Sequence, residues 1–373
     1  MPVKATTELQ FLWQDRSIAK HFRAGVSLHS HTMYSEESLD CAASFIASVP
    51  YLQRLIFHDG PEYTEERNAS LDLQRGYWTP PLAPRQAHRL EKKQIEAQFQ
   101  LPALVSLTDH DDIRAGTQLR VLERFSTAPV STEWTVPFEN TFFHLGVHNL
   151  PAGEAAAIRR QFASYTAQPQ PRQLPGILEM LHSDPNILVV LNHPLWDEKG
   201  IGRNNHRAAL QELLHRCRRY IHALELNGLR TMRENRQVVA MAKELDISAV
   251  AGGDRHGVEP NAILNLSRAE TLSGFIHEVR ARRFSRVVFM PQYRQPQILR
   301  ILHTVIDVLR EYPENFEGRR SWPDRVFYRD PETGAPVPLA RVCNVRRTRM
   351  VERLIAAMRV MDRRPPSVIL TSA

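Results

Sequence analysis

Short apolar runs alternate along most of the chain with longer stretches in which apolar residues recur at helical spacing. Runs such as ILVVLN and ISAVAGG are apolar throughout, which is typical of strands buried on both faces of a parallel sheet. Seven such runs predict strands, at 25–29, 103–108, 128–133, 141–147, 187–192, 221–227 and 247–252. Four intervening patterns predict helices, at 154–165, 174–182, 206–219 and 233–245. The alternation predicts an α/β fold, and a barrel is favoured over an open sheet because no glycine-rich phosphate loop is present.

Two segments interrupt this alternation. Residues 51–100 separate the first two strands and end in a charged helical pattern at 89–99, so we expect an insertion that forms a rim over one face. After about Met290 the alternation stops, and two helical patterns, at 296–312 and 347–361, flank a stretch rich in proline and glycine. The predicted domains are therefore a barrel at 1–290 and a helical, Arg-rich extension at 291–373.

The composition limits the class of protein. The chain has 373 residues, of which 42% are hydrophobic, enough for a sizeable core. No run is long and apolar enough to span a bilayer, and the N-terminus lacks the pattern of a signal peptide. The three cysteines are scattered, which argues against disulfides and against cysteine-ligated zinc. We therefore expect a soluble, cytoplasmic protein that does not bind a membrane.

The charge is concentrated in the extension. Residues 280–373 contain 19 Arg, no Lys and 9 acidic residues, a net charge of +10, whereas the whole chain carries +7. Arginine suits phosphate recognition, so nucleic acid is one candidate partner. Apolar stripes at helical spacing in the same segment favour the other candidate, a face that packs on the barrel or on a second subunit.

The chemistry is predicted at the strand ends. His29 and His31 follow the first strand with a spacing that places both imidazoles on one face, and Glu36 comes from the next loop. Later strand ends add five more motifs, TDHDD, STEW, FHLGVH, NHP and GGDRHG. Because barrel enzymes build their sites at the C-terminal strand ends, these groups are expected to converge and to need a compensating cation. Imidazole and carboxylate together suit manganese, iron or zinc.

The same motifs resemble those of the PHP family, named for its polymerase-associated and histidinol-phosphatase members. HSHTMYSE, TDHDD, NHP and GGDRHG are similar to the four family motifs, STEW and FHLG to its intermediate Glu and His positions, and the resemblance covers about residues 22–260. It implies a distorted seven-stranded (β/α) TIM-like barrel that holds two to three divalent ions (Mn, Zn or Fe). The implied ligands are His29, His31, Glu36, His110, Glu133, His144, His193, Asp254 and His256.

The chain departs from the family pattern at three positions. Glu36 stands where the family usually has Asp, and Gly253 stands where a serine usually precedes the motif-four aspartate. Trp196 occupies the position, three residues after the third-motif histidine, where nucleotide phosphatases of the family often have arginine. These departures leave the substrate open. The choice between His144 and His148 also stays open, with His144 favoured because the Phe-Phe pair before it matches the family pattern.

The predicted activity is a metal-dependent phosphoesterase that hydrolyses a small phosphate ester, a nucleotide or a phosphorylated metabolite. The nucleophile would be a metal-bound hydroxide, since a bound metal lowers the pKa of water from about 15.7 toward about 7. Asp109 and Arg255 are predicted to support catalysis. Asp109, Asp111 and Asn192 are candidates to orient the ligand imidazoles, and the candidates to contact substrate phosphate are Arg203, Asn204, His206 and Arg255.

Three other functions remain open from the sequence. A nuclease acting on nucleic-acid ends is favoured by the basic extension. A hydrolase of C–N bonds would use a metal site of similar composition. A non-catalytic metal-stabilised module is the third, although all nine ligand positions implied by the resemblance are filled.

Overall fold

The computed structural model describes residues 4–39, 75–313, 317–338 and 341. The chain divides into two compact units. The first unit comprises Met1–Ser35 and Leu82–Ile301, and the second comprises Glu36–Pro81 and Leu302–Ala373. Residues 51–74 of the predicted insertion and the predicted helix at 347–361 lie outside the described residues, so the rim and the boundary near Met290 stay predictions.

The strands of the first unit include all seven that the apolar runs predict. Three further strands, the first and the last two of this unit, were not predicted. In chain order the strands are β1 (Thr6–Phe11), β2 (Ala24–Ser27), β5 (Ala103–Val105), β6 (Val130–Phe138), β7 (Thr141–Leu150), β8 (Leu188–Leu191), β9 (Ala223–Asn227), β10 (Ser248–Gly252), β11 (Ile263–Ser267) and β12 (Phe284–Phe289). In the second unit the strands are β3 (Glu37–Ser38), β4 (Gly76–Trp78), β13 (Val326–Arg329) and β14 (Pro336–Pro338).

Six of the predicted helical patterns are helices in the structure, with shifted ends, and the second and seventh helices in chain order were not predicted. They are α1 (Pro84–Phe99), α2 (Arg114–Val121), α3 (Ala155–Ala167), α4 (Leu174–Ser183), α5 (Arg203–Cys217), α6 (Met232–Glu244), α7 (Leu272–Arg280) and α8 (Gln297–Leu309). Helix α6 begins after Thr231, whose hydroxyl accepts a hydrogen bond from the backbone N–H of Glu234. Within the described residues, no helix is both long and apolar enough to cross a bilayer.

The first unit is a mixed α/β structure built on two five-stranded sheets. Their strand orders are β1-β12-β11-β2-β5 and β10-β9-β8-β7-β6. The expectation that the buried runs pair in parallel is wrong for the pairs β6–β7 and β7–β8, which are antiparallel, whereas β8 and β9 pair in parallel. For β6 and β7 the physical reason is the short turn at 139–140, which has room for a hairpin but not for a crossover helix.

The described strands do not close into a barrel. Strand β5 ends its pairing at Val105, and the described chain beyond it pairs with β6 at an isolated bridge between His110 and Glu133, not as a continuous strand. A second isolated bridge, between Ser30 and Arg255, joins the chain after β2 to the chain after β10. These two bridges connect the chain after β2 to the chain after β10, and the chain after β5 to the interior of β6.

The second unit contains a four-stranded antiparallel sheet, β14-β13-β4-β3. The extension was predicted to be helical, and α8 agrees, but the described part also contains β13 and β14. The sequence VFYR of β13 is aromatic and β-branched, and a turn at Asp330 with Gly334 returns the chain to β14, so a hairpin forms. Arg325, which is fully buried, donates to the carbonyls of Val308 (3.1 Å) and Arg319 (2.7 Å).

Candidate metal centre

Glu133 is the centre of the site. It lies in β6 with none of its surface exposed, and five imidazoles surround its carboxylate. The nitrogen–oxygen distances are 2.9 Å for His29, 3.3 Å for His31, 3.4 Å for His110, 3.6 Å for His144 and 3.2 Å for His193. Besides Glu133, eight residues were predicted as ligands, and the structure places five of them around its buried carboxylate.

Within the first unit, three overlapping groups of side chains have the composition and spacing of metal ligands. In each group the candidate ligand atoms lie within 4.8 Å of one another. The groups are His29, His31 and Glu133; His31, Asp254 and His256; and His110, Glu133 and His144. Eight of the nine predicted ligands lie in these groups or, in the case of His193, directly against Glu133.

The donor chemistry fits divalent metal ions. The Nε2 atoms of His29 and His31 face each other at 2.9 Å, and both also face Glu133 Oε2. Ring nitrogens placed this way need a proton or a metal cation between them, since two lone pairs would repel. A set of imidazole nitrogens and carboxylate oxygens suits manganese, iron or zinc.

The prediction that every ligand lies at a strand end is wrong for two of them. Glu133 and His144 lie inside the long hairpin of β6 and β7, where Glu133 pairs with Gly146 and His144 pairs with Thr135. Two others do follow strand ends with a left-handed backbone, at φ 26° for His193 and φ 54° for Asp254. Such conformations are costly for residues other than glycine and concentrate at functional sites.

The charges of the site are strongly coupled. Burial opposes the charged form of His29, but Glu133, Glu225 and Asp254 outweigh it and raise the pKa of this imidazole well above its usual range. Burial also opposes ionisation of Glu133, yet the neighbouring imidazoles, above all His29 and His110, hold its pKa well below its usual range. The pKa of Asp254 is lowered in the same way. These carboxylates are therefore ionised and available to a cation.

Glu225 is a site residue that the motifs did not identify. It lies in β9 and is only 2% exposed. Its carboxylate accepts hydrogen bonds from His29 Nδ1 (2.5 Å) and from the backbone N–H of His193 (2.9 Å). A proton on His29 Nδ1 leaves the Nε2 lone pair directed toward Glu133. The available signal was one charged residue inside the otherwise apolar run ALELN.

Two side-chain amides hold the carboxylates in place. Asn192 donates to Glu133 Oε1 at 2.9 Å. Asn227 donates both to Glu225 (3.0 Å) and to Asp254 (3.1 Å). Asn192 was predicted to orient imidazoles, whereas its observed contact is to a carboxylate.

The two residues predicted to support catalysis are occupied by protein contacts. Asp109 accepts hydrogen bonds from the backbone N–H (2.5 Å) and hydroxyl (2.7 Å) of Thr32, which orders the chain directly after His31. Arg255 donates to the carbonyls of Gly257 (2.9 Å) and Val258 (2.7 Å). Asp111, predicted to orient a ligand, accepts from the backbone N–H of Thr135. Catalytic roles for Asp109 and Arg255 stay predictions.

The predicted ligand Glu36 and the alternative ligand His148 contact residues other than Glu133 in the described structure. Glu36 belongs to the second unit, where its exposed carboxylate is bonded to Arg329. His148 is buried and contacts Ser106 Oγ at 2.8 Å; burial lowers its pKa to about 3, so this imidazole is neutral. Of the two alternatives, His144 is the one that faces Glu133.

The predicted phosphate contacts lie at the start of α5. Arg203 is its exposed first residue, and Asn204 follows it. His206 is buried, and its Nε2 donates to the carbonyl of Pro194 at 3.0 Å, which tethers the loop after His193. Contact with substrate stays a prediction for all three.

Comparison with known proteins gives remote structural similarities only. No family model matches the chain, and no curated protein matches it. PsfC from Pseudomonas syringae PB-5123 is 15% identical, with a TM-score of 0.37, covering 75% of this chain and 96% of PsfC. A proposed metal-dependent phosphoesterase from Bifidobacterium adolescentis is 14% identical (TM-score 0.33; 54% of this chain, 92% of that one). An amidohydrolase from Chromobacterium violaceum, solved with sulfate and no metal, is 12% identical (TM-score 0.36; 62% and 87%). Function is therefore inferred from the site itself.

Proposed function

We propose that this chain is a metal-dependent phosphoesterase of the PHP type, acting on a small phosphate ester. The observation that carries the proposal is one buried carboxylate, Glu133, with nitrogen atoms of five imidazoles within 3.6 Å. Buried charges and imidazoles at this density are unusual unless they bind cations.

The proposed centre holds two to three divalent ions (Mn, Zn or Fe). The residues that would hold these ions are Glu133, His29, His31, His110, His144, His193, Asp254 and His256. Divalent ions supply Lewis acidity for the phosphoryl oxygens and lower the pKa of water, so no side-chain nucleophile is needed.

The protein's own residues prepare the centre for this chemistry. Glu225 keeps the proton of His29 on Nδ1, and Asn192 fixes the orientation of the Glu133 carboxylate. Both contacts are buried, so water does not compete for them. The site is consequently preorganised before a substrate enters.

A nuclease acting on nucleic-acid ends is the second candidate, because residues 280–373 carry a net charge of +10. The two candidates differ in salt dependence. Nucleic-acid binding through the extension should weaken steeply with salt and vanish on removal of residues 291–373. Packing of the extension on the barrel or on a second subunit would instead appear as a loss of solubility or a change of oligomeric state in the truncated protein.

A phosphate-release screen tests the proposed activity. We expect metal-loaded protein to release phosphate from at least one nucleotide or sugar phosphate, and His110→Ala to abolish this while its circular dichroism stays unchanged. Cleavage of oligonucleotides far faster than of every small ester would reverse the ranking of the two candidates. Unchanged turnover in His110→Ala would exclude the proposed centre.

A further inference from the structure

A guanidinium group is held at the edge of the proposed centre. Arg230 follows β9, and its Cζ lies 3.8 Å from the centroid of the Trp196 ring. Trp196 in turn packs edge-on against His193, with ring centroids 5.0 Å apart. Since His193 contacts Glu133, Arg230 is separated from the proposed ligands by a single aromatic ring.

The guanidinium of Arg230 is not neutralised by the described protein. Its Nε is buried and has no hydrogen-bond partner among the described residues. Burial raises the pKa of Glu234, and the nearby charge of Arg230 partly opposes this rise. Among the described residues, however, Arg230 and Glu234 form no ion pair. Burying an unpaired donor costs about 1–3 kcal/mol, and a bound ligand that accepts its hydrogen bond would offset this cost.

The backbone beneath Arg230 is rigidly fixed. Arg300 donates to the carbonyls of Gly228 (2.9 Å) and Arg230 (2.7 Å), and Gln297 donates to that of Leu229 (3.0 Å). The hydroxyl of Tyr293 also donates to the Arg230 carbonyl, at 2.9 Å. The cation–π contact with Trp196 also restrains the guanidinium, so less side-chain entropy remains to be lost on binding an anion.

We propose that Arg230, held on Trp196, binds an anionic group of the substrate other than the reacting phosphoryl group. This inference rests on the proposed phosphoesterase function. The Trp196 ring contacts both the guanidinium and His193, so an anion bound to Arg230 lies beside the proposed metal ligands and not among them. The substrate class is therefore a phosphate ester that also carries a carboxylate or a second phosphate.

Two probes that differ in one anionic group test this assignment. 3-Phosphoglycerate and glycerol 3-phosphate share the phosphate ester, but only the first has a carboxylate. Their binding to metal-loaded protein is measured by calorimetry, together with metal content. The variants are Arg230→Gln, which removes the charge, Arg230→Lys, and the control Arg233→Gln, which removes an exposed arginine in the first turn of α6.

We expect wild type to bind 3-phosphoglycerate more tightly than glycerol 3-phosphate, and Arg230→Gln to remove this preference. The expected loss of affinity for 3-phosphoglycerate is about 10- to 100-fold, typical of a hydrogen bond to a charged group. Arg230→Lys should retain part of the preference, and Arg233→Gln all of it, with metal content unchanged throughout. Equal binding of both probes by wild type, or equal losses in Arg230→Gln and Arg233→Gln, would overturn the inference. Because the binding measurement does not depend on turnover, a failed phosphate-release screen would reject the activity independently of this result.

Discussion

Glu133→Gln should lower turnover at least about 10³-fold and reduce the metal content of the purified protein. The substitution keeps the shape of the side chain but removes the charge that five imidazoles surround. Loss of metal assistance costs several kcal/mol of transition-state stabilisation, which sets the magnitude. Phosphate release at saturating substrate and elemental analysis of the same sample measure the two effects.

The matched control is Glu139→Gln. Glu139 lies in the turn after β6, is exposed, and is 3.7 Å from Arg216 in a surface ion pair worth little. This variant should keep full activity and full metal content. If Glu133→Gln behaved like Glu139→Gln, Glu133 would not be the shared ligand.

Gly252→Ala should weaken metal binding about 10- to 100-fold, although residue 252 itself offers no ligand. A Cβ at this position would lie 1.5 Å from Glu225 Oε1, so the carboxylate must move away from His29 Nδ1. Loss of a buried partner that orients a ligand imidazole typically has an effect of this size. Titration of the metal-free protein with manganese or zinc gives the affinity.

Two further variants separate this mechanism from a general loss of packing. Glu225→Gln should reproduce the weakened affinity with little change of volume. Gly176→Ala should not, because no atom lies within 4 Å of a Cβ built at this position in α4. Normal affinity in Glu225→Gln would contradict the positioning role of this carboxylate.

Local sequence patterns predicted much of the site. His29 and His31 are close along the chain, and so are Asp254 and His256, so their spacing alone indicates a shared face. Apolar runs likewise located the buried strands, because a strand buried on both faces needs side chains such as those of LVVL in β8.

Other features depend on contacts between distant segments and left weaker local signals. Glu225 reaches a residue 196 positions away, and its only local sign was a charge within an apolar strand. The antiparallel β6–β7 hairpin puts Glu133 and His144 inside strands, whereas the apolar run alone suggested a strand ending at residue 133. The backbone of Arg230 is held by hydrogen bonds from Arg300 and Tyr293, which are more than 60 positions away in the chain, so no local spacing predicts these contacts.

Elemental analysis of protein purified without chelator is the decisive measurement for the metal centre. Wild type should contain more than one equivalent of manganese, iron or zinc per chain, or acquire it when these metals are supplied, and Glu133→Gln should contain markedly less. Fewer than one equivalent per wild-type chain after supplying all three metals would contradict the assignment of this buried cluster as a metal site.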